Sequence, residues 1–443
     1  MALTPLDIGV CRFFEFSFTL LYPRVFSANE LQAASQALLR HYPDLGSRLN
    51  LWRTDIMPPR AGQIPDIFAS RNVGIQLREI IYASSPSLAD VNVKQLDSLF
   101  AFSKIFQDPL SAQVFRIQTL FLVDATVVRF VFQHPFCDPC GAFCIARSYF
   151  GTLDGRNPLP TVFVKFPLRL RDNIIRDAAA ETNVSEGPTL VDKTRRLFTR
   201  SWWDLLKKGS TVAKRDTLRP SLTRVDNTLH IPAAQVQQWM ADSRRKNINV
   251  TEPDLLAAFI YLCAYNNLSV QDFTLTLGSR LEVESQTPIR NDMFLVPIDL
   301  ERTHHRTDLF LATVPEIAGE VRRTVLQARR PSCMAELTAF YNDPSETPIV
   351  PRWIGRDDPQ VTVSSWTDLP LFELETKHTH PSFVYADSDV WSWLKWIGLR
   401  MDDVIITWAA YVNGHKDGYW IRGRLTEAIW DRMAKTLDPQ NTQ

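Results

Sequence analysis

Residues 133–144, QHPFCDPCGAFC, place a histidine, an aspartate and three cysteines within twelve positions. His134 precedes Asp138 by four residues. The ordinary pKa of histidine lies near neutrality, so the side chain suits removal of a proton from a hydroxyl group. The segment is compatible with a catalytic base, with a zinc site, or with a structural histidine in an apolar core.

The zinc interpretation depends on Cys137, Cys140 and Cys144, which follow His134 at a spacing typical of a compact ligand cluster. A helix is expected across the last two cysteines, and it would turn most of these thiols into the core as small apolar groups. No second group of cysteines and histidines occurs elsewhere to complete a site. The sequence therefore predicts no metal.

The elements around His134 should hold it at a turn between a strand and a helix. Residues 119–132 read as a strand, which Pro135 ends because proline has no amide hydrogen to donate. Asp138 suits a helix N-cap and Pro139 the first helical position. Such turns often present reactive side chains on a rigid support.

The whole chain has 443 residues, which favours two domains. Lysine plus arginine and aspartate plus glutamate both number 49, so neither nucleic acid nor an anionic membrane is expected as a partner. We predict no transmembrane helix and no signal peptide. The six cysteines do not form a secreted disulfide pattern, which indicates a reducing cytosol.

Coarse patterns along the chain suggest a mixed sheet with helices in each half. A strand ends near Pro23, and Ser27 with Glu30 predicts a capping box at the next helix. We expect an N-terminal domain at 1–190, a crossover at 191–223 and a C-terminal domain at 224–443.

The segment HPFCDPCG resembles the HxxxD signature of the BAHD acyl-CoA-dependent acyltransferases. Four further segments resemble that family in the same order: LTPLD, LQAASQALLRHYPDLGSRL, TEPDLLAAFIY and VSSWTDLP. The N-terminus and the short crossover resemble the fungal secondary-metabolite branch more than the plant branch.

This resemblance implies an α/β fold of two chloramphenicol-acetyltransferase-like domains, each a mixed β-sheet with flanking helices, with the active-site tunnel between them. It implies a cytoplasmic monomer that transfers an acyl group from acyl-CoA to a hydroxyl of a small natural product. Acyl-CoA would be a co-substrate, and no tightly bound cofactor is expected.

The resemblance also assigns roles to individual residues. His134 would be the general base, and Ser364 would donate a hydrogen bond to the tetrahedral oxyanion, with Trp366 beside it. Asp138 would brace the turn, held by Arg280 from the second domain. Alternatively, Arg280 is an ordinary surface arginine, Ser364 a strand serine and Trp366 a core tryptophan.

The second family signature, DFGWG, is altered to ETKHT at residues 375–379. Glu375 keeps the acid as structural support, but both glycines are lost, and glycine permits backbone conformations that other residues resist. His378 and His380 are new polar groups there or part of a solvated loop. Coenzyme A needs cations for its phosphates, and the sequence does not fix which residues supply them. Basic residues are available on the crossover and further along the chain, and they are otherwise a solvated basic run: Lys207, Lys208, Lys214, Arg215, Arg302 and Arg306.

Three functions follow as hypotheses. The first is O-acyl transfer from acyl-CoA. The second, motivated by the altered signature, is a CoA-independent cyclisation, isomerisation or carbon–carbon bond reaction in the same tunnel. The third is a binding protein without catalysis.

Overall fold

The computed structural model describes the chain in sixteen stretches. They are residues 11, 14–50, 56–59, 65–80, 93–100, 111–159, 189–196, 198–199, 224–265, 273–278, 293–298, 313–343, 350–351, 361–390, 404–412 and 415–437.

Sixteen strands occur in these stretches. They are β1 (Phe14–Tyr22), β2 (Arg48–Asn50), β3 (Ile56–Met57), β4 (Phe68–Asn72), β5 (Ser111–Gln113), β6 (Phe115–Phe121), β7 (Thr126–Gln133), β8 (Phe198–Thr199), β9 (Arg224–Pro232), β10 (Phe273–Gly278), β11 (Met293–Ile298), β12 (Val350–Pro351), β13 (Val361–Ser365), β14 (Phe383–Val390), β15 (Val404–Val412) and β16 (His415–Thr426).

Ten α-helices occur in the same described stretches. They are α1 (Ala28–His41), α2 (Leu77–Ile80), α3 (Val93–Leu99), α4 (Pro139–Leu153), α5 (Leu190–Arg196), α6 (Ala233–Arg245), α7 (Glu252–Tyr265), α8 (Val314–Ala328), α9 (Pro331–Asn342) and α10 (Glu427–Leu437). No helix within the described stretches is long and apolar enough to cross a membrane.

The first large sheet has the strand order β14-β1-β7-β6-β4. β1 pairs antiparallel with both β14 and β7, and β4 pairs parallel with β6, so the sheet is mixed. Phe16 and Phe18 point to the buried face of β1, as the two-residue period of a strand requires. Helices α1 and α4 contact each other over this half of the molecule.

The second large sheet has the order β11-β10-β13-β15-β16-β9. Its three central strands, β10, β13 and β15, run parallel, and the outer strands pair antiparallel. One face belongs to the same apolar core as the first sheet. The other face packs under α6, α7, α8 and α10 in a second core.

The predicted α/β class is confirmed, with mixed sheets and flanking helices in both halves. One strand from the C-terminal half changes sheets, because β14 joins the edge of the first sheet beside β1. The predicted boundaries at 190 and 224 therefore do not separate the sheets completely. Most of the predicted crossover at 191–223 lies outside the described residues.

One local prediction was wrong. Ser27 is the N-cap of α1 with an extended backbone, but its side chain makes no capping hydrogen bond. A complete capping box forms instead at α8, where Thr313 and Glu316 exchange side-chain and backbone hydrogen bonds. The sequence pattern alone does not fix the rotamer that a cap needs.

Candidate active site

His134 lies immediately after β7, at the turn that the sequence predicts. Its amide N–H donates to the carbonyl of Phe14 at 2.9 Å, so the ladder with β1 continues one residue past the strand. The amide of Phe136 then donates to the carbonyl of Gln133 at 2.9 Å and closes a turn. Backbone bonds on both sides of the histidine thus fix where its side chain starts.

Asp138 caps the helix that follows, as predicted. Its Oδ1 accepts the amide hydrogen of Gly141 at 2.8 Å, and Pro139 occupies the first turn of α4. The aspartate is 4% exposed. A carboxylate at a helix N-terminus accepts a hydrogen bond from an otherwise unpaired backbone amide. It also interacts favourably with the positive end of the helix dipole. Asp138 is therefore a brace for the turn that carries His134.

A cavity of about 550 Å³ opens beside this turn. Its wall includes both predicted residues, His134 and Asp138, and both predicted residues of the facing strand, Ser364 and Trp366. The fold therefore brings two segments together that are 230 residues apart in the chain. The volume is within the range typical of small-molecule sites.

The His134 imidazole is mostly enclosed, and its remaining surface lines the cavity. Burial lowers the pKa of His134 from 6.5 to about 4, and the residue's own backbone opposes this decrease. Its Nδ1 is buried without a well-formed hydrogen bond to any residue that the structure describes. The ring is consequently neutral at physiological pH, which is the form that accepts a proton.

Phe16 connects the histidine to the facing strand. Its ring meets His134 edge-on, with centroids 5.2 Å apart, and meets Trp366 edge-on at 5.6 Å. Phe132 stacks against it from β7 at 5.4 Å. Edge-to-face contacts of this kind restrict ring orientation. The sequence predicted a strand that ends near Pro23, but it did not predict the contact of Phe16 with His134.

Ser364 and Trp366 form a hydrogen-bonded pair at the end of β13. The indole Nε1–H of Trp366 donates to Oγ of Ser364 at 3.1 Å. The Trp366 amide also donates to the carbonyl of Thr407 at 2.7 Å, which holds the tryptophan on β15. Because its oxygen accepts from the indole, the hydroxyl of Ser364 keeps its own hydrogen available for donation.

The cavity reaches both faces of the second sheet. Thr276, Ser364 and Ile406 are in register on β10, β13 and β15, and Ile406 belongs to the core that contains Phe16. Their neighbours Leu275 and Val363 point to the opposite face, under the helices, and also line the cavity. The cavity thus has a histidine compartment on one face and a helix compartment on the other.

The helix compartment contains a charged group that the sequence reasoning missed. Asp254 on α7 accepts from the amide and the hydroxyl of Thr251, at 2.8 and 2.7 Å. Arg322 on α8 has its Nε 3.9 Å from the same carboxylate, and Arg329 also lines the wall. Burial raises the pKa of Asp254, while Thr251 and the two arginines oppose the rise.

The cysteines around His134 do not assemble a metal site. Cys137 and Cys144 are buried in the core, and Cys140 lines the cavity. Among the residues that the structure describes, no three histidine, cysteine, aspartate or glutamate side chains are grouped to hold a metal ion.

The altered signature lies far from the histidine. The backbone amides of Thr376 and Thr379 each donate to the other residue's carbonyl, and the Lys377 amide donates to the Asp154 carboxylate at 3.1 Å. Asp154 follows the 15-residue helix α4, which separates the two ends by about 22 Å. The predicted support residue Glu375 is exposed and pairs with His380 at 2.8 Å. The segment anchors to α4 and contributes nothing to the cavity wall among the described residues.

Several predicted residues lie outside the described stretches, so the structure says nothing of their placement. They are Arg280, proposed to hold Asp138, and the predicted coenzyme A cations Lys207, Lys208, Lys214, Arg215, Arg302 and Arg306.

Solved structures share this fold over nearly the whole chain. TRI101 of F. sporotrichioides, solved with coenzyme A and T-2, has a TM-score of 0.61 at 12% identity, covering 100% of this chain and 98% of that one. Vinorine synthase has a TM-score of 0.57 at 13% identity, and the match covers 97% of this chain and 91% of vinorine synthase. The first condensation domain of the calcium-dependent antibiotic synthetase, solved with a substrate analogue, has a TM-score of 0.55 at 10% identity, covering 96% and 89%.

No family model matches the sequence, and no curated protein matches it either. At identities of 10–13% the structural likeness establishes the fold. The predicted two-domain architecture of this class is thereby confirmed.

Proposed function

We propose that this protein is an acyltransferase that moves an acyl group from acyl-CoA to a hydroxyl of a small secondary metabolite. The observation that carries the proposal is the cavity in which His134 and the Ser364–Trp366 pair line one compartment. Acyl transfer needs a base near the attacking hydroxyl and a hydrogen-bond donor near the developing oxyanion. We further propose a cytoplasmic monomer of the fungal acyltransferase type, with domains at 1–190 and 224–443.

In this mechanism His134 takes the proton of the acceptor hydroxyl as its oxygen attacks the thioester carbon. The imidazole is neutral well below physiological pH, because its pKa is about 4. A low pKa makes a weaker base, and the protonated ring formed in the transition state needs stabilisation by the bound reactants. Protonated His134 then returns the proton to the leaving thiolate of CoA, so that protons balance over the cycle.

Ser364 donates its hydroxyl hydrogen to the oxyanion of the tetrahedral intermediate. Trp366 orients that hydroxyl by donating to its oxygen at 3.1 Å. One well-aligned donor of this kind stabilises a transition state by about 2.7–4 kcal/mol. Asp138 does not touch the reacting atoms in this scheme; it holds the first turn of α4 through Gly141.

Coenzyme A as the acyl carrier is supported by the fold. TRI101, which shares the fold over its full length, was solved with coenzyme A. The altered segment at residues 375–379 lies at the far end of α4, so it does not narrow the cavity beside His134.

The experiment combines the purified protein with acetyl-CoA and a panel of hydroxylated terpenoids and alkaloids, and detects acetyl esters by mass spectrometry. We expect ester formation that requires acetyl-CoA and falls by about 10²–10⁴ in a His134→Gln variant. His378→Gln is the matched control, because His378 lies on the distant turn. Ester formation at the same rate in both variants would refute the role of His134.

A second candidate is a CoA-independent reaction on a natural-product intermediate in the same cavity. This candidate is supported by the likeness to a condensation domain that was solved with a substrate analogue. The fold is therefore not limited to structures solved with coenzyme A. The two candidates differ in one measurable property. Products that form equally with and without acetyl-CoA would support the second candidate.

A further inference from the structure

The charged side chains of the helix compartment become more exposed to solvent from its inner end toward Arg329. Asp254 is the innermost charged side chain, 5% exposed, and Arg322 is 27% exposed. Arg329, seven residues further along, is exposed. Arg322 and Val325 lie on one face of α8, and the C-cap residue Arg329 continues that face, since residues three, four and seven apart lie on one side of a helix. All three line the cavity.

The guanidinium groups of Arg322 and Arg329 both act on the single carboxyl group of Asp254. Asp138 and Asp368 are the other acidic residues of the cavity wall. Asp254 is already occupied by two hydrogen bonds from Thr251, and its contact with Arg322 is long, at 3.9 Å. The arginines therefore retain N–H donors for a ligand, and guanidinium groups bind phosphate oxygens with paired hydrogen bonds.

The position of the arginines relative to His134 is equally informative. The histidine compartment is lined by aromatic and apolar groups such as Phe16 and Leu295, whereas the arginines lie on the opposite face of the second sheet. A ligand that spans both compartments would place its reactive end near His134 and a charged end near Arg329. In open sheets with parallel strands, ligands commonly bind at the carboxyl ends of the strands. Here the carboxyl ends of β10 and β13 lie at the cavity.

We infer that Arg322 and Arg329 bind the phosphate groups of the acyl donor at the mouth of the helix compartment, with the thioester reaching His134 through the cavity. This inference rests on the proposed function, because it assumes coenzyme A as the carrier. It assigns donor binding to α8 rather than to the basic residues that the sequence suggested. Asp254 holds the start of α7 through its two hydrogen bonds from Thr251.

The test measures binding rather than turnover, so it needs no acceptor. Calorimetric titration compares free coenzyme A with pantetheine, which lacks the phosphates. The variant is Arg322→Ala with Arg329→Ala. The matched control is Arg323→Ala with Arg330→Ala, which removes the same charge from adjacent positions that do not line the cavity.

We expect the variant to weaken coenzyme A binding at least about tenfold, because charge-assisted contacts to the phosphates are lost. Pantetheine should bind the variant as well as it binds the native protein, and the control should bind both ligands normally. Added salt should weaken coenzyme A binding to the native protein more than to the variant.

The outcomes separate the two proposals. Native coenzyme A affinity in the variant would overturn the assignment of the arginines and leave the proposed function standing. Loss of pantetheine binding in the variant would also overturn it, since the effect would then come from cavity damage. A native protein that is folded but binds neither ligand would contradict acyl-CoA as the donor and the inference with it.

Discussion

Acidification provides a direct test of the environment of His134. Burial lowers its pKa from 6.5 to about 4. A histidine with the ordinary pKa is about 90% neutral at about pH 7.5 and only about 3% neutral at about pH 5. A histidine with a pKa near 4 is still about 90% neutral at about pH 5. The neutral fraction should therefore fall about thirtyfold in the unfolded chain and hardly at all in the folded protein.

The assay is carbethoxylation with diethylpyrocarbonate, which reacts with neutral imidazole. Because His134 keeps part of its surface on the cavity, the reagent has a route to the ring. Modification of the His134 peptide is followed by mass spectrometry at both pH values, and the urea-unfolded chain reports the intrinsic effect of pH on the reagent. A folded-state rate that falls with pH as steeply as the unfolded one would refute the burial argument.

The same difference in pKa makes folding depend on pH. The unfolded chain protonates His134 at a higher pH than the folded protein does, so the contribution of the neutral ring is complete above about pH 6.5 and is lost as the pH falls toward 4. Between about pH 7.5 and about pH 5 this amounts to about 2 kcal/mol. The free energy of unfolding is measured by urea titration at both pH values for the native protein and for His134→Gln. The contribution of His134 is the decrease in the native protein minus the decrease in the variant.

Three further predictions concern the supports of the site. Asp138→Ala should lower the free energy of unfolding by about 1 kcal/mol through loss of the α4 cap, while Asp138→Asn should keep most of it; equal losses in urea titrations would contradict capping. Phe16→Leu should lower the maximal acyl-transfer rate more than it changes the Michaelis constant, because the Phe16 ring orients His134 and Trp366. A change in the Michaelis constant alone would contradict this role. Lys377→Ala should leave coenzyme A affinity unchanged in calorimetry, since the turn lies about 22 Å from the start of α4; a tenfold loss would place that turn in the donor site.

The sequence predicted the local structure around the histidine well, because short-range chemistry decides it. Pro135 ends β7, and Asp138 with Pro139 begins α4, as their backbone preferences require. These preferences act within a few residues. The position of His134 at the turn therefore followed without knowledge of the rest of the fold.

The contacts across the cavity could not be predicted in the same way. Phe16 reaches His134 because β1 and β7 pair over more than 100 residues of separation, and Trp366 reaches Phe16 across two sheets. The stripe of Arg322, Val325 and Arg329 was not among the residues singled out from the sequence. Which neighbour that stripe faces depends on the packing of α8 on the second sheet, which periodicity does not specify.

The pairing of β14 with β1 in the first sheet also could not be predicted from the sequence. Phe383–Val390 begins with the buried apolar run FVYA, which suits a strand, but nothing in it selects β1 over a neighbour in its own half. That choice is made by the long-range fit of both strands. His134 and the pair of Ser364 and Trp366 line one cavity.

The release of free CoA in a single turnover tests the central claim most directly. Enzyme in excess over acetyl-CoA is mixed with an accepted alcohol, and thiol release is followed in the native protein, in His134→Gln and in the matched His378→Gln control. We predict rapid release in the native protein and the control, and release slowed by about 10²–10⁴ in His134→Gln with acetyl-CoA still bound. Equal rates in all three proteins would contradict the account, because acyl transfer would then proceed without the histidine.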